Sequence, residues 1–212
     1  MKLTLLAGAL AALATAVSGA PSKLHSLDAR QDSPVPGRFT VMALRSASPI
    51  HFLPVQAAGQ KFWLGGYPAT YCPEQVGDAC PPGNKTVITG LSYLDVLVPG
   101  GQQIYVDPNG ALSFTQAHSV YIPPGSLIGG FTYTPHDTEP GRGTWGFNGG
   151  GATGWMACPD SKDTESPRWQ VFAALRNATV PTGNVDDCLG FTAMALQYTS
   201  APEEGPAAWQ YT

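Results

Sequence analysis

An all-β chain, its antiparallel strands stacked as a two-sheet sandwich with a closed barrel as the alternative, is what this sequence predicts. Three observations predict it. Only 12% of the 212 residues are charged, about half the ~25% usual in globular domains, which argues against long solvent-exposed helices. Beyond the N-terminal apolar run, no stretch keeps a helical apolar repeat over ten or more positions. Instead, strand-favouring runs recur about every 8–12 residues, separated by turns drawn from 25 Gly and 20 Pro.

Residues 1–20 are set aside first. Met1-Lys2 is a positive start, Leu3–Val17 an apolar run, and Ser18-Gly19-Ala20 a small-residue cleavage site, the three parts of a secretory signal peptide. The run is short for a membrane span and no stop-transfer segment follows. Residues 21–37 are polar and Pro-punctuated, a mobile leader in which Arg30 is a weak processing signal. Removal of Lys2 takes the formal charge from −4 to −5. A mildly acidic surface of this kind does not fit nucleic acid or anionic lipid. No hydrophobic tail follows Thr212, so neither a GPI signal nor another membrane anchor is expected.

Order is expected over residues 38–212, as one β-sandwich domain. Phe39–Leu44 alternates Phe39, Val41 and Ala43 against Thr40 and Met42. Pro49–Val55 and Gln60–Leu64 follow as strands joined through Ala57-Ala58-Gly59. Phe62-Trp63-Leu64 is apolar on both faces and so reads as central. Gly65–Gly83 is a long loop. Thr86–Thr89 and Tyr93–Val98 then lead to the best-defined unit, Gln102–Val106 and Ala111–Thr115 joined by Asp107-Pro108-Asn109-Gly110. Pro presets the first corner of a type I turn, Asp bonds back to its backbone, and Gly accepts the left-handed position of a three-residue loop. That loop sets Val106 opposite Leu112 and Ile104 opposite Phe114 on one face; Gln103, Tyr105, Ser113 and Thr115 are expected on a wet one. Further strands are expected at Val120–Ile122, Ser126–Thr134, Thr144–Phe147, Gly154–Ala157, Arg168–Leu175 and Phe191–Tyr198, with a short one at Ala207–Tyr211. Gly149-Gly150-Gly151 lacks the Lys and helix of a phosphate loop and reads as a bulge or loop.

Four cysteines in an exported chain form an even set, so two disulfides are expected. Three pairings are possible. Cys72–Cys80 with Cys158–Cys188 is favoured because each closes a local segment, the first stapling the Gly65–Gly83 loop. Without CxxC or a neighbouring His there is no zinc pattern, and no metal or other cofactor is expected. Asn84-Lys85-Thr86 and Asn177-Ala178-Thr179 are sequons, making Asn84 and Asn177 glycan acceptors.

No catalytic constellation emerges: there is no GxSxG, HExxH, P-loop or kinase set. His25 lies in the leader, while His51, His118 and His136 are scattered. Asp186-Asp187 reads as a solvated turn pair, not the spaced carboxylates of a glycosidase. Aromatic residues offer one binding hypothesis. Trp63, Tyr67 and Tyr71 flank the first cysteine loop and Trp145 and Trp155 the glycine run. Flat rings stack on sugars, so Tyr67, Tyr71 and Trp145 are the candidate glycan contacts, against the alternative that such rings are core.

From Phe39 onward the chain resembles the fungal phiA family of cell-wall proteins. The resemblance is carried by Met42-Ala43-Leu44-Arg45-Ser46, Ser48-Pro49-Ile50-His51-Phe52, Cys80-Pro81-Pro82-Gly83-Asn84 and Val98-Pro99-Gly100-Gly101-Gln102-Gln103. It continues through Gly110-Ala111-Leu112-Ser113-Phe114-Thr115, Ala117-His118-Ser119, Ile122-Pro123-Pro124-Gly125, Gly151-Ala152-Thr153-Gly154-Trp155 and Ala157-Cys158-Pro159. Asn177-Ala178-Thr179-Val180-Pro181 and Cys188-Leu189-Gly190-Phe191 complete it. The resemblance implies a secreted, wall-associated protein needed for phialide and conidium formation and active in stress protection; with no recognisable active site in the residues, a non-enzymatic role is expected. Some relatives are described as IgE-binding. It brings no catalytic residue, and its expected partners are wall polysaccharide or wall proteins. Two rivals remain: a lectin-like module using the exposed rings, and a hydrolase in which His51 or His118 meets a carboxylate.

Overall fold

The computed structural model describes residues 37–162, 166–199 and 205–212, all within a unit that runs from Ser33 to Thr212. The expected signal peptide, Arg30 and nearly all of the leader lie outside the described residues.

The strands are β1 (Arg38–Leu44), β2 (Val55–Ala58), β3 (Lys61–Leu64), β4 (Thr70–Tyr71), β5 (Ile88–Thr89), β6 (Tyr93–Leu94), β7 (Gln102–Val106) and β8 (Leu112–Phe114). There follow β9 (Phe131–Pro135), β10 (Arg142–Gly149), β11 (Ala152–Thr153), β12 (Trp155–Pro159), β13 (Trp169–Ala173), β14 (Leu189–Gln197) and β15 (Gln210–Tyr211). Short 3₁₀ turns occupy Glu74–Ala79 and Val185–Asp187. The fold is mostly β and antiparallel, as expected.

The hydrogen bonding does not part into two separate sheets. It runs β1-β5-β6-β7-β8-β3-β13-β12-β14 and returns through β14 to β1, a ring, with β2, β9, β10 and β11 attached and β15-β4 a separate pair. Strand β14 is the seam: Leu189–Phe191 pairs with β12, and Thr192–Gln197 with β1. The ring holds an odd number of antiparallel neighbours, so it is not an up-and-down barrel of straight strands, in which directions must alternate evenly. Closure leaves few free edges, the property that guards β proteins against edge-to-edge association.

The core sits inside the ring. Phe39, Val41 and Ala43 point inward from β1, opposite Ala193 and Ala195 of β14. Aromatic residues dominate the same core, with Phe131 and Trp155 each in ring contact with both Trp145 and Phe147.

The central hairpin forms in the expected register, Ile104↔Phe114 and Val106↔Leu112. Asp107 Oδ1 accepts from the amides of Asn109 (2.9 Å) and Ala111 (3.0 Å), and Gly110 takes φ +91°. Its second face is not wet, however: Tyr105, Ser113 and Thr115 are buried. Other chain segments cover or engage it. Lys61 Nζ reaches Ser113 Oγ at 2.9 Å; at the strand edge Leu127 exchanges backbone bonds with Val106, and on the first face Gln102 is clasped by Tyr211.

Other expectations need correction. Pro49–Phe52 is a turn, where Phe52 adopts φ +64°. Ala57-Ala58 belongs to β2, and the connection to β3 is the two-residue turn Gly59-Gln60, both with positive φ. That is the primed turn which matches strand twist. Val120–Ile122 is not a strand, since Pro123 and Pro124 offer no amide for pairing. Trp63 is central as expected, because β3 pairs with β2, β13 and β8.

Candidate functional site

Both expected disulfides form, Cys72–Cys80 and Cys158–Cys188. The first closes residues 72–80, directly after the segment that carries Tyr67 and Tyr71. Tyr67 is 89% and Tyr71 52% exposed, and Tyr71 lies in β4, held against Gln210 of β15. Trp145 is the correction: it is 1% exposed. Its ring stacks on Trp155 at 4.8 Å and on Phe131 at 5.7 Å, and its Nε1 donates to the Leu91 carbonyl. Trp155 is buried beside it and donates to the Trp145 carbonyl. Neither indole reaches solvent, so neither is a glycan contact.

The acceptor asparagines of both sequons are exposed. In the first, the Thr86 hydroxyl is buried and accepts from the Ala57 amide at 2.8 Å.

The candidate acid–base residues are not brought together. His51 Nδ1 accepts from the Arg45 amide and its ring stacks on Phe52 at 3.8 Å. His118 is exposed in a left-handed turn, and His136 faces Thr138. Among the described residues none of these histidines pairs with a carboxylate. Asp186 and Asp187 share a 3₁₀ turn capped by Asn184. Lys162 lies 2.8 Å from Asp187 and, with Thr182, holds that carboxyl below its usual range. Among the described residues no group of three or more His, Cys, Asp or Glu is placed to hold a metal ion.

Sequence reasoning missed a cleft of about 430 Å³ where β1, the end of β14, the start of β2 and the Lys85–Thr86 turn meet. Met42, Pro54 and Leu196 give it apolar walls; Thr40, Gln56, Lys85 and Tyr198 add polar groups. Gln56 is only 8% exposed, and its Oε1 is buried with no hydrogen-bond partner among the described residues. The turn is pinned from behind: Tyr211 Oη donates to the Lys85 carbonyl at 2.7 Å and accepts from the Val87 amide at 3.2 Å. No local motif signals this cleft, because its walls come from strands far apart in the chain.

Comparison with known proteins gives the setting. The family model described as PhiA, PhiA-like secreted protein, matches residues 39–212. An uncharacterized secreted protein of Arthroderma benhamiae is 58% identical over 160 residues, covering 76% of this chain and 78% of that protein. No solved structure matches. With the family model spanning nearly every described strand, this chain belongs to the PhiA-like secreted proteins.

Proposed function

We propose that this protein is a non-enzymatic component of the fungal cell wall that supports phialide and conidium formation and protects the wall under stress. The developmental and wall assignments come from the resemblance to phiA proteins. One structural observation supports the non-enzymatic part: the candidate acid and base side chains are held apart on a disulfide-stapled, ring-closed sheet. Such a scaffold suits persistence outside the cell, where disulfides endure. The test is a serial wall extraction with hot detergent, reducing agent and then glucanase, alongside a deletion strain scored for phialides and conidia. Retention in the wall until one of those steps, with fewer conidia in the deletant, is expected. Recovery of all the protein from the medium, or normal conidiation, would overturn it.

A second reading, a lectin-like module that binds wall polysaccharide, is favoured by the exposure of Tyr67 and Tyr71 on the segment just before the Cys72–Cys80 disulfide. It predicts pull-down on chitin or β-glucan that Tyr67→Ala and Tyr71→Ala weaken. Binding that is absent, or that survives both changes, removes those rings from the reading.

A further inference from the structure

The two sequons are alike in sequence and unlike in the fold. Each has an exposed asparagine, but the motif also demands Ser or Thr at its third position. What those two residues share is a hydroxyl, so the transferring enzyme has to reach that group as well as the asparagine. At the first sequon the fold takes the hydroxyl away. Thr86 is 4% exposed, and its Oγ1 accepts from the buried Ala57 amide of β2 at 2.8 Å. The backbone on either side is held by the Tyr211 hydroxyl, which bonds the Lys85 carbonyl and the Val87 amide. Reaching Thr86 therefore means opening the β2 contact and displacing a buried tyrosine. At the second sequon Thr179 is exposed. There the turn is held by backbone bonds, from Ala178 to the Leu175 carbonyl at 3.4 Å and from Thr179 to the Asn109 carbonyl at 2.9 Å.

Chain order sharpens the contrast. Tyr211 lies 126 residues after Lys85, about 6–25 s of synthesis at about 5–20 residues per second. Until it arrives the first sequon lacks its second clasp. Once it has docked, the hydroxyl is inside the fold.

We propose that Asn84 accepts a glycan only before β2 and Tyr211 close over Thr86, whereas Asn177 stays readable in the folded protein. The donor is an oligosaccharide linked to a lipid through pyrophosphate. The asparagine side-chain nitrogen bonds to C1 of the first sugar, the bond from C1 to the pyrophosphate oxygen breaks, and the amide gives up a proton. Because Asn84 is itself exposed, a glycan attached early stays outside the closing fold. Occupancy at Asn84 is then set by a race between transfer and folding. The proposal rests on both sequons being acceptors and uses neither wall residence nor the exposed tyrosines, so those readings stand or fall separately.

The test uses the full mature chain made without glycans, with both cystines formed and folding verified by thermal unfolding. It is incubated with an oligosaccharyltransferase and its lipid-linked donor, and transfer at each asparagine is timed by mass spectrometry. Peptides of residues 81–90 and 174–183 give the rate of each sequon free of the fold. Relative to its own peptide, Asn84 should be slowed at least about tenfold more than Asn177, because transfer there waits on local opening. Tyr211→Phe frees the Lys85 carbonyl and the Val87 amide, so it should speed transfer at Asn84 severalfold and leave Asn177 unchanged. Should that variant not fold, the comparison of wild type with peptide decides alone. Equal slowing at the two sites, Asn84 modified at the rate of its peptide, or a folded Tyr211→Phe no faster at Asn84 would overturn the proposal. A peptide of residues 81–90 that accepts nothing would overturn the reading of Asn84 as an acceptor, and the proposal with it.

Discussion

Replacing Trp145 by Ala removes a ring in contact with Phe39, Phe131 and Trp155 and leaves the Leu91 carbonyl without its donor. A buried aromatic truncated to Ala costs about 3–5 kcal/mol. Tyr67→Ala and Tyr71→Ala, at exposed positions, should stay within about 0.5 kcal/mol. Denaturant unfolding of the three variants checks this contrast; a mild Trp145 effect would mean that the ring is not packed as described. The burial of Trp145 was legible. Gly143, Trp145 and Phe147 alternate inward along β10 against Thr144 and Asn148, and that period of two outweighs nearness to a glycine run. The exposure of Tyr67 followed correctly from its Gly- and Pro-rich neighbours. Gln56 was not legible as a cleft residue, because its neighbours there, Lys85 and Tyr198, are placed by pairings between β1, β14 and the turn that one strand's pattern does not encode.

At the scale of elements, the β7–β8 hairpin was read in its correct register because turn chemistry and alternation agreed. The error lay in its outer face. Alternation tells which residues share a face, but not whether another segment covers the polar one, as Lys61 helps to do here. The turn is correspondingly intolerant. A Cβ on Gly110 would stand 3.1 Å from Ala178 Cβ and 3.3 Å from Leu175 Cδ1 at φ +91°. Gly110→Ala should destabilise by about 1–2 kcal/mol, the left-handed cost of an L-residue, and thermal melts measure it. The two cystine elements should also differ. One sulfur of the second bridge, Cys158, is fully buried and its partner Cys188 partly exposed, whereas Cys72 and Cys80 are both partly exposed. Thiol exchange depends on access, so mild reduction with alkylation and mass spectrometry should label Cys72 and Cys80 first. Their loss should also cost less, about 2.5 against 3.6 kcal/mol on loop entropy, because the loops span 8 and 30 residues. Equal labelling would mean that attack at Cys188 alone opens the second bridge as readily as the first.

For the whole molecule the decisive fact is that β1 and β14, strands from opposite ends of the described chain, close the ring, while β15 pairs with β4 and ties through Tyr211 to Gln102 of β7. Closure of this kind depends on partners that are distant in sequence, which is why alternation revealed the strands without revealing that their ladder meets itself. Tyr211 shows how the end of the chain is secured. Its ring is buried against Phe114, its backbone pairs with Gln102, and its hydroxyl joins Lys85 and Val87. Burial, partly offset by the Val87 amide, pushes the phenol well above its usual 10.0. The neutral form is therefore the one the fold favours. Below pH 10 the hydroxyl is neutral in both folded and unfolded chains and its contribution is complete. Above pH 10 the unfolded chain ionises first and releases its proton, so stability falls as pH rises. Tyr211→Phe should cost about 1–3 kcal/mol at neutral pH, because two backbone groups lose their partner, and should flatten the alkaline decline. Urea unfolding of both proteins at pH 8 and pH 11 tests this. If the wild type loses no more stability than the variant between those values, Tyr211 does not hold its proton in the folded ring, and the pinning of the Lys85 turn from behind fails with it.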